Sequence, residues 1–292
     1  MDEPYSKNCM LEKKFILDVG ITNATKQEIL EYIIKGLEKN AKKCFIVTPN
    51  PEILALANKA KEYKNILNNA EIALPDGVGV ILAGKFLEVN FKQRITGVEL
   101  LESLCLAVAK KPITVGFLGG GGRIAEKTVE CLQSKYPWLN VGFVGSEWPG
   151  TISQNESKFD DRRWKVEDSN LKMEDRRLID PLTSTLKNLH STFYHPPSKI
   201  IDILFVAFGA PKQELWISEN LDKLPVRVAI GVGGAFDYIS GRVPRAPRWV
   251  QRIGFEWFFR LIRQPWRIKR QLALLEFIYL VLREKLASKK RI

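Results

Sequence analysis

Cysteine and histidine are scarce in this 292-residue chain. The four cysteines, Cys9, Cys44, Cys105 and Cys131, are widely scattered and form no CxxC pair, which argues against both a disulfide framework and a zinc site. The two histidines, His190 and His195, share one irregular polar stretch without an HExxH pattern or a nearby cysteine, so a metal or acid–base pair has little to build on. No apolar run approaches the roughly 20 residues that a spanning helix needs. The opening MDEPYSKNCMLEKK also lacks the apolar h-region of a signal peptide. The expectation is a chain with no transmembrane helix that stays in the cytoplasm. Acids, finally, are nearly missing from one region. Between Gly241 and Ile292 fourteen Lys or Arg face three Glu, a net +11 out of the chain's +12. The remainder is almost neutral, and the basic end calls for an anionic partner.

What is present is an ordinary globular composition, 45% apolar and 27% charged. Short apolar runs ending in Gly, Pro, Asn or Asp alternate with longer segments of helical period, the pattern of a parallel sheet with crossover helices. Strands are expected at Cys44–Thr48, Glu71–Leu74, Ile113–Leu118, Asn140–Val144, Ile201–Ala207 and Val226–Val232. Helices are expected at Pro51–Asn68, Gly97–Ala109, Arg123–Lys135 and Pro211–Leu221. The fold class is therefore α/β, an open, doubly wound, Rossmann-like and mostly parallel sheet over residues 1–240. A polar, mixed-charge insertion at about 146–198 breaks the rhythm, and its length points to a surface segment.

From Gly241 onwards the chain is expected to form a basic, amphipathic helical appendage, residues 241–292. The segments RWVQRIGFEWFFRLIRQ and PWRIKRQLALLEFIYLVLREKL are split by Pro265. Arg252, Arg260, Arg263, Arg267 and Arg270 keep close to helical spacing, while Trp249, Ile253, Trp257 and Leu261 mark another face. Basic and aromatic faces on one helix describe a segment lying on an anionic membrane surface. The plainer alternative is a helical pair packed on the body with a solvated basic face.

Four stretches are candidates for chemistry. In VTPNPEI, Thr48 and Asn50 end a strand at the carboxyl edge of the sheet, where open α/β folds bind ligands, though Asn50 also reads as a helix cap. In IALPDGVGV, Asp76 follows a strand to the same edge; it is either a general base or an ordinary Pro-Asp-Gly turn residue. GFLGGGGRIAEKT places Gly119, Gly120 and Gly121 between a strand and a helix, suited to bring N–H groups against a phosphate. Ile124 breaks the GxGxxG fingerprint and no P-loop Lys-Ser/Thr follows, so a nucleotide-sugar fits better than NAD or ATP. In FVAFGAPKQELW, Lys212, Gln213 and Glu214 open a helix and either hold part of a ligand or merely start the helix.

In this order, TPNPE, LPDGVGV, RITG, GFLGGGG, FGAPKQE, GVGGAFDYISGRVPRAP and GFEWFFRLIRQPWRIKR resemble the WecG/TagA/CpsF family of bacterial glycosyltransferases (glycosyltransferase family 26), from about Phe15 to Leu286. The resemblance implies an inverting, metal-independent enzyme with no DxD motif and no cofactor. Such an enzyme moves a sugar from a UDP-sugar donor to a polyprenyl-diphosphate-linked acceptor at the cytoplasmic membrane face, in teichoic acid or other surface polysaccharide synthesis. N-acetylmannosamine passing to undecaprenyl-diphosphate N-acetylglucosamine is the implied case, and UDP-glucose or UDP-glucuronate is the alternative donor. Asp76 is implied as general base, Thr48 and Asn50 as its neighbours, and Arg94 and Gln213 as pocket residues. Arg260, Arg267 and Arg270 are implied to close over the diphosphate. The insertion departs from the family, and self-association is implied without a stoichiometry. A nucleic-acid-binding tail is the rival from another class, but no RRM, KH or zinc-finger pattern is visible and the basic face alternates with a large apolar one.

Overall fold

The computed structural model describes residues 11–39, 42–149, 200–252, 254–263 and 268–289. His190, His195 and most of the expected insertion lie outside those residues, as does Arg267.

In chain order the elements are β1 (Lys13–Ile16), β2 (Val19–Thr22), α1 (Lys26–Glu38), β3 (Cys44–Val47), α2 (Pro51–Lys59), α3 (Lys61–Asn69), β4 (Ile72–Ala73), α4 (Val78–Phe86), α5 (Gly97–Val108) and β5 (Val115–Gly119). There follow α6 (Ile124–Lys135), β6 (Val141–Gly145), β7 (Ile201–Ala207), α7 (Lys212–Asn220), β8 (Val226–Gly231), α8 (Ala235–Ile239), α9 (Arg248–Arg252), α10 (Glu256–Arg263) and α11 (Ile268–Lys289). Six strands pair in parallel in the order β4-β3-β8-β7-β5-β6, which is the doubly wound α/β sheet expected from the alternation. Winding runs from β3 out to β4, then crosses to β5 and β6, and returns through β7 and β8 to the middle.

Local chemistry explains most boundaries. Thr25 and Glu28 form a reciprocal capping box at the start of α1, and Thr96 and Glu99 do the same for α5. Asn50 caps α2, with Pro51 in its first turn. The single helix expected over 51–68 is two, because Ala60 adopts an extended backbone (φ −123°, ψ 98°) and turns the chain between α2 and α3. Three elements carry no strong sequence signal: the β1–β2 hairpin, turned at Leu17 and Asp18 with φ of 52° and 61°; α4; and the short α8. The hairpin covers the β4 edge, where Thr22 Oγ1 accepts a hydrogen bond from the Ala73 N–H at 3.0 Å.

Alternation along the central strands divides the core into two layers. Val47, Ala73, Leu118, Leu204 and Val206 face α2, α3 and α7, while Ile46, Ile72, Phe117, Ile203 and Phe205 face α1, α5 and α6. The basic C-terminal region is attached to the first layer. Phe277, Leu280 and Val281 of α11 are buried there, Glu276 pairs with Lys59 at 2.6 Å, and the Glu284 carboxylate accepts from the Leu17 N–H at 3.1 Å. The outer face of α11 shows Leu272, Leu275, Tyr279, Leu282 and Leu286 to solvent. No helix among the described residues is long and apolar enough to cross a membrane.

Because Phe277 is 2% exposed and sits at the centre of this attachment, Phe277→Ala is expected to cost about 3–5 kcal/mol. A lowered urea midpoint in equilibrium unfolding reads this loss directly.

Candidate active site

All six parallel strands present their carboxyl ends at one edge, and the sheet order fixes what meets there. Asp76 follows β4, Thr48 and Asn50 follow β3, Val232–Gly234 follow β8, Gly209 follows β7, and Gly119–Gly122 close β5. From β4 to β5 is four strand spacings, about 19 Å, so an extended ligand along this edge touches both ends.

Short backbone bonds strap the exits of β3 and β4 together. Leu74 N–H donates to Val47 O at 2.9 Å and Asp76 N–H donates to Pro49 O at 3.0 Å. Thr48 is buried, and its hydroxyl donates to Gly231 O at 3.0 Å, tying β3 to β8. Asn50 Oδ1 accepts from the Ile53 N–H at 2.9 Å, so the cap reading holds, and its amide nitrogen has no partner among the described residues. One residue thus caps a helix and still offers a donor to the edge.

Gly77, with φ of 88°, turns the chain from Asp76 into α4, so the Pro-Asp-Gly turn is real. It aims the Asp76 carboxylate at the start of α5, where Oδ2 accepts from the Gly97 N–H at 3.4 Å. The residue keeps a rim of exposed surface while its carboxyl is enclosed, and burial is the largest influence on it. Burial pushes the carboxyl up to about 7; the Gly97 N–H and Arg94 pull the other way, and Glu99 and Glu256 add to the rise. Arg94 lies 4.0 Å from Glu99, which holds it beside the carboxylate. Glu256 reaches this corner from α10 and is fixed by Arg245 at 3.3 Å, which also faces Glu102 at 3.6 Å. Gly254 packs so tightly on Val78 that an added Cβ would stand 2.5 Å from Val78 Cβ. The chain before α10 therefore rests directly on the Asp76 turn.

At the middle of the edge, Gly233 (φ 55°) donates its N–H to Gln213 Oε1 at 2.9 Å. Gln213 is nearly fully buried at the start of α7 and lies behind this turn. Arg260 comes to the turn from the other side. Its Nη1 stands 2.7 Å from where a Gly234 side chain would begin, its Nη2 lies 3.2 Å from Asp237, and its guanidinium lies 5.0 Å from the centre of the Tyr238 ring. Arg270 belongs to α11.

Gly119, Gly120, Gly121 and Gly122 have φ of 108°, 81°, 66° and 52°, a run that side-chain-bearing residues rarely adopt. Gly119 has Ala207 O only 2.9 Å from its would-be Cβ, whereas Gly121 and Gly122 border open space. Gly120 donates its N–H to Ala207 O at 3.0 Å, so the open part of the floor is the Gly121–Gly122 backbone together with the first turn of α6, which lacks a side-chain cap and is positively polarised. Glu126 in that turn keeps Oε2 shielded from solvent with no hydrogen-bond partner among the described residues, an acceptor that sequence reasoning missed. Its only sequence signal was its place four residues beyond the glycine run.

The structure thus brings Asp76, Arg94, Thr48, Asn50, Gly119–Gly121 and Arg260 to one edge and sets Gln213 just behind it. The edge combines a carboxyl that burial pushes up to about 7, an open glycine turn at a helix start and a nearby guanidinium. That is equipment for deprotonating a hydroxyl beside an anionic leaving group.

Residues 15–168 and 199–291 match the sequence model of the glycosyl transferase WecG/TagA/CpsF family. The unmatched 169–198 fall inside the expected insertion. Three similar proteins, each named N-acetylglucosaminyldiphosphoundecaprenol N-acetyl-beta-D-mannosaminyltransferase, come from Bacillus subtilis (strain 168), Bacillus spizizenii (strain W23) and Staphylococcus aureus (strain MRSA252). The first is 27% identical over 94% of this chain and 93% of the relative, the second 30% over 87% and 84%, and the third 28% over 94% of both. A match running through both halves of the chain, on a fold whose sheet edge carries this equipment, establishes that the chain belongs to the WecG/TagA/CpsF family of glycosyltransferases.

Proposed function

We propose that this glycosyltransferase moves N-acetylmannosamine from its UDP-activated form to N-acetylglucosamine carried on a polyprenyl diphosphate. The acceptor is the one in the relatives' names, the UDP donor is the one the family resemblance implies, and the glycine floor supports a phosphate-bearing donor. The observation that carries the reading is the convergence of Asp76, the Gly119–Gly122 floor and Arg260 on one edge.

The nucleotide part of the donor lies towards the glycine floor, its diphosphate lies at the Gly233–Gly234 turn beside Arg260, and the sugar points along the edge towards Asp76. Asp76, ionised, takes the proton from the acceptor's attacking hydroxyl. That oxygen bonds the anomeric carbon from the face opposite the diphosphate, the bond to the UDP oxygen breaks, and the configuration inverts. Charge on departing UDP is met by backbone N–H groups and Arg260, so the proposed step needs no metal. Thr48 and Asn50 shape the space beside the base, and Arg94 steadies its ionised form. Arg267 and Arg270 belong to the same closing set by their place in the family motif.

The C-terminal region is proposed to rest on the anionic membrane surface that holds the acceptor. Trp249, Phe255, Phe258 and Ile262 are exposed around an apolar groove of about 310 Å³ and Trp257 is exposed nearby, while Arg260 of α10 turns inward. An apolar outer face within a region of net charge +11 suits the interface of a charged bilayer.

Mass spectrometry of products from a UDP-sugar panel, with a synthetic prenyl-diphosphate N-acetylglucosamine acceptor, tests the reaction. One added N-acetylhexosamine from UDP-N-acetylmannosamine is expected, and preferential transfer of glucose or glucuronate would overturn the donor assignment. Asp76→Asn is expected to lower turnover about 10²–10⁴-fold while the protein stays folded. The wild-type rate should climb with pH through about 7 as the carboxyl ionises. The same group makes stability fall over that range. An unfolded aspartate ionises near 3.8 but the native one near 7, so raising the pH between those values favours unfolding. Denaturant titrations of Asp76→Asn across this window should show a flatter dependence. In flotation with anionic liposomes the wild type is expected to float, and a Trp249→Ser, Trp257→Ser, Ile262→Ser protein to stay at the bottom. Binding of DNA in place of liposomes would favour the nucleic-acid reading of the tail.

A further inference from the structure

Behind the β8 turn runs a line of buried polar groups that the reaction as set out does not use. Gly233 N–H donates to Gln213 Oε1 at 2.9 Å, Gln213 Nε2 donates to Glu214 Oε1 at 2.7 Å, and Tyr63 OH donates to Glu214 Oε2 at 3.1 Å. Tyr63 and Glu214 are both 0% exposed and Gln213 is 1% exposed. Burial raises the Glu214 carboxyl above its ordinary range, and the groups opposing that rise are all neutral: Gln213, a backbone N–H and Tyr63. A carboxyl enclosed without a cation among the described residues is costly, and an apolar side chain of that size in such a place is often no less stable.

What the carboxyl does there follows from the two ends of an amide. A glutamine facing Gly233 alone could turn over; turned, it would set its NH₂ against the Gly233 N–H. Glu214 Oε1 accepts only from the NH₂ end, so the carbonyl end must face Gly233. Tyr63 satisfies the second carboxyl oxygen and, being locked into α3, fixes where the carboxyl sits. The packing leaves no slack, since a side chain on Gly231 would begin 2.9 Å from Gln213 Nε2. The held turn is the one flanked by the Thr48 bond to Gly231 and by Arg260 at Gly234.

We propose that Glu214 and Tyr63 are positioning residues for glycosyl transfer: they lock the orientation of the Gln213 amide and through it set the Gly233–Gly234 turn against which Arg260 meets the donor diphosphate. This rests on the reading that the turn and Arg260 contact UDP. Its signature is coupling: Tyr63 matters only while Gln213 has an amide to lock.

The test is a double-mutant cycle on the full chain with Tyr63→Phe, Gln213→Ala and both together. UDP affinity is read by calorimetry, and donor and acceptor kinetics are read with UDP-N-acetylmannosamine. Tyr63→Phe removes one O–H without changing the packing, and a loss of about three- to tenfold in UDP affinity and in donor kcat/KM is expected, with acceptor KM unmoved. In the Gln213→Ala background the same change is expected to cost less than twofold. Glu214→Gln keeps an acceptor for Gln213 Nε2 and should stay within about threefold of wild type, whereas Glu214→Met, of similar volume, should not. Equal losses in both backgrounds, or Tyr63→Phe indistinguishable from wild type, would overturn the positioning role and leave the proposed reaction standing. A wild-type protein that neither bound UDP nor used any UDP-sugar would remove the reaction and this inference with it.

Discussion

Parallel pairing is the constraint on which the rest depends. Each strand of this sheet must re-enter from the same end, so every strand-to-helix turn falls at one edge and every helix-to-strand connection at the other. Thr48, Asp76, Gly209, Gly233 and the glycine run are far apart in sequence and become neighbours for that reason alone. The Thr48 hydroxyl bond to Gly231 and the backbone bond from Asp76 to Pro49 then remove the freedom that remains between adjacent turns.

At Asp76 two effects oppose each other, and their sizes explain the outcome. A helix N-terminus favours a carboxylate by about 0.3–1 kcal/mol, and Arg94 acts in the same direction. Removing a carboxylate from water costs several kcal/mol, and two further acids, Glu99 and Glu256, face it. Burial wins, and the group is poised near neutrality. Glu256 belongs to the basic C-terminal region, which therefore shapes the electrostatics of the edge besides any contact with lipid. The same region turns Arg260 inward onto Asp237 and Tyr238 and leaves Trp249, Phe258 and Ile262 outward. It is amphipathic in a sense that a charge count does not reveal, with cations towards the site and aromatics towards the surroundings.

Much of this was legible in the sequence. The alternation of short apolar runs with helical segments identified all six sheet strands, because buried parallel strands have no polar face to blur the signal. Asp76, Thr48 and the glycine run were identified because they stand where strands end. The hairpin, α4 and α8 were missed: Leu17 and Asp18 turn without glycine, and VGVILAGKF is apolar all round, so no period betrays a helix. Gln213 was placed in a pocket, yet its amide is engaged with Gly233 and Glu214 behind the turn, since α7 starts with that side chain facing the sheet.

By itself, then, the sequence determined the α/β class, the order of the turns, the positions of the chemical groups and the separation of charge between body and tail. These follow from local periodicity, turn chemistry and composition, which need only neighbours in the chain. Tertiary structure alone decided which turns lie side by side, that Asp76 titrates near neutrality, that Arg260 faces inward, and that Tyr63 stands behind Gln213. Each of those depends on contacts between residues from 21 to 183 apart in the chain and on exclusion of water by packed layers, and neither exists until the sheet has closed.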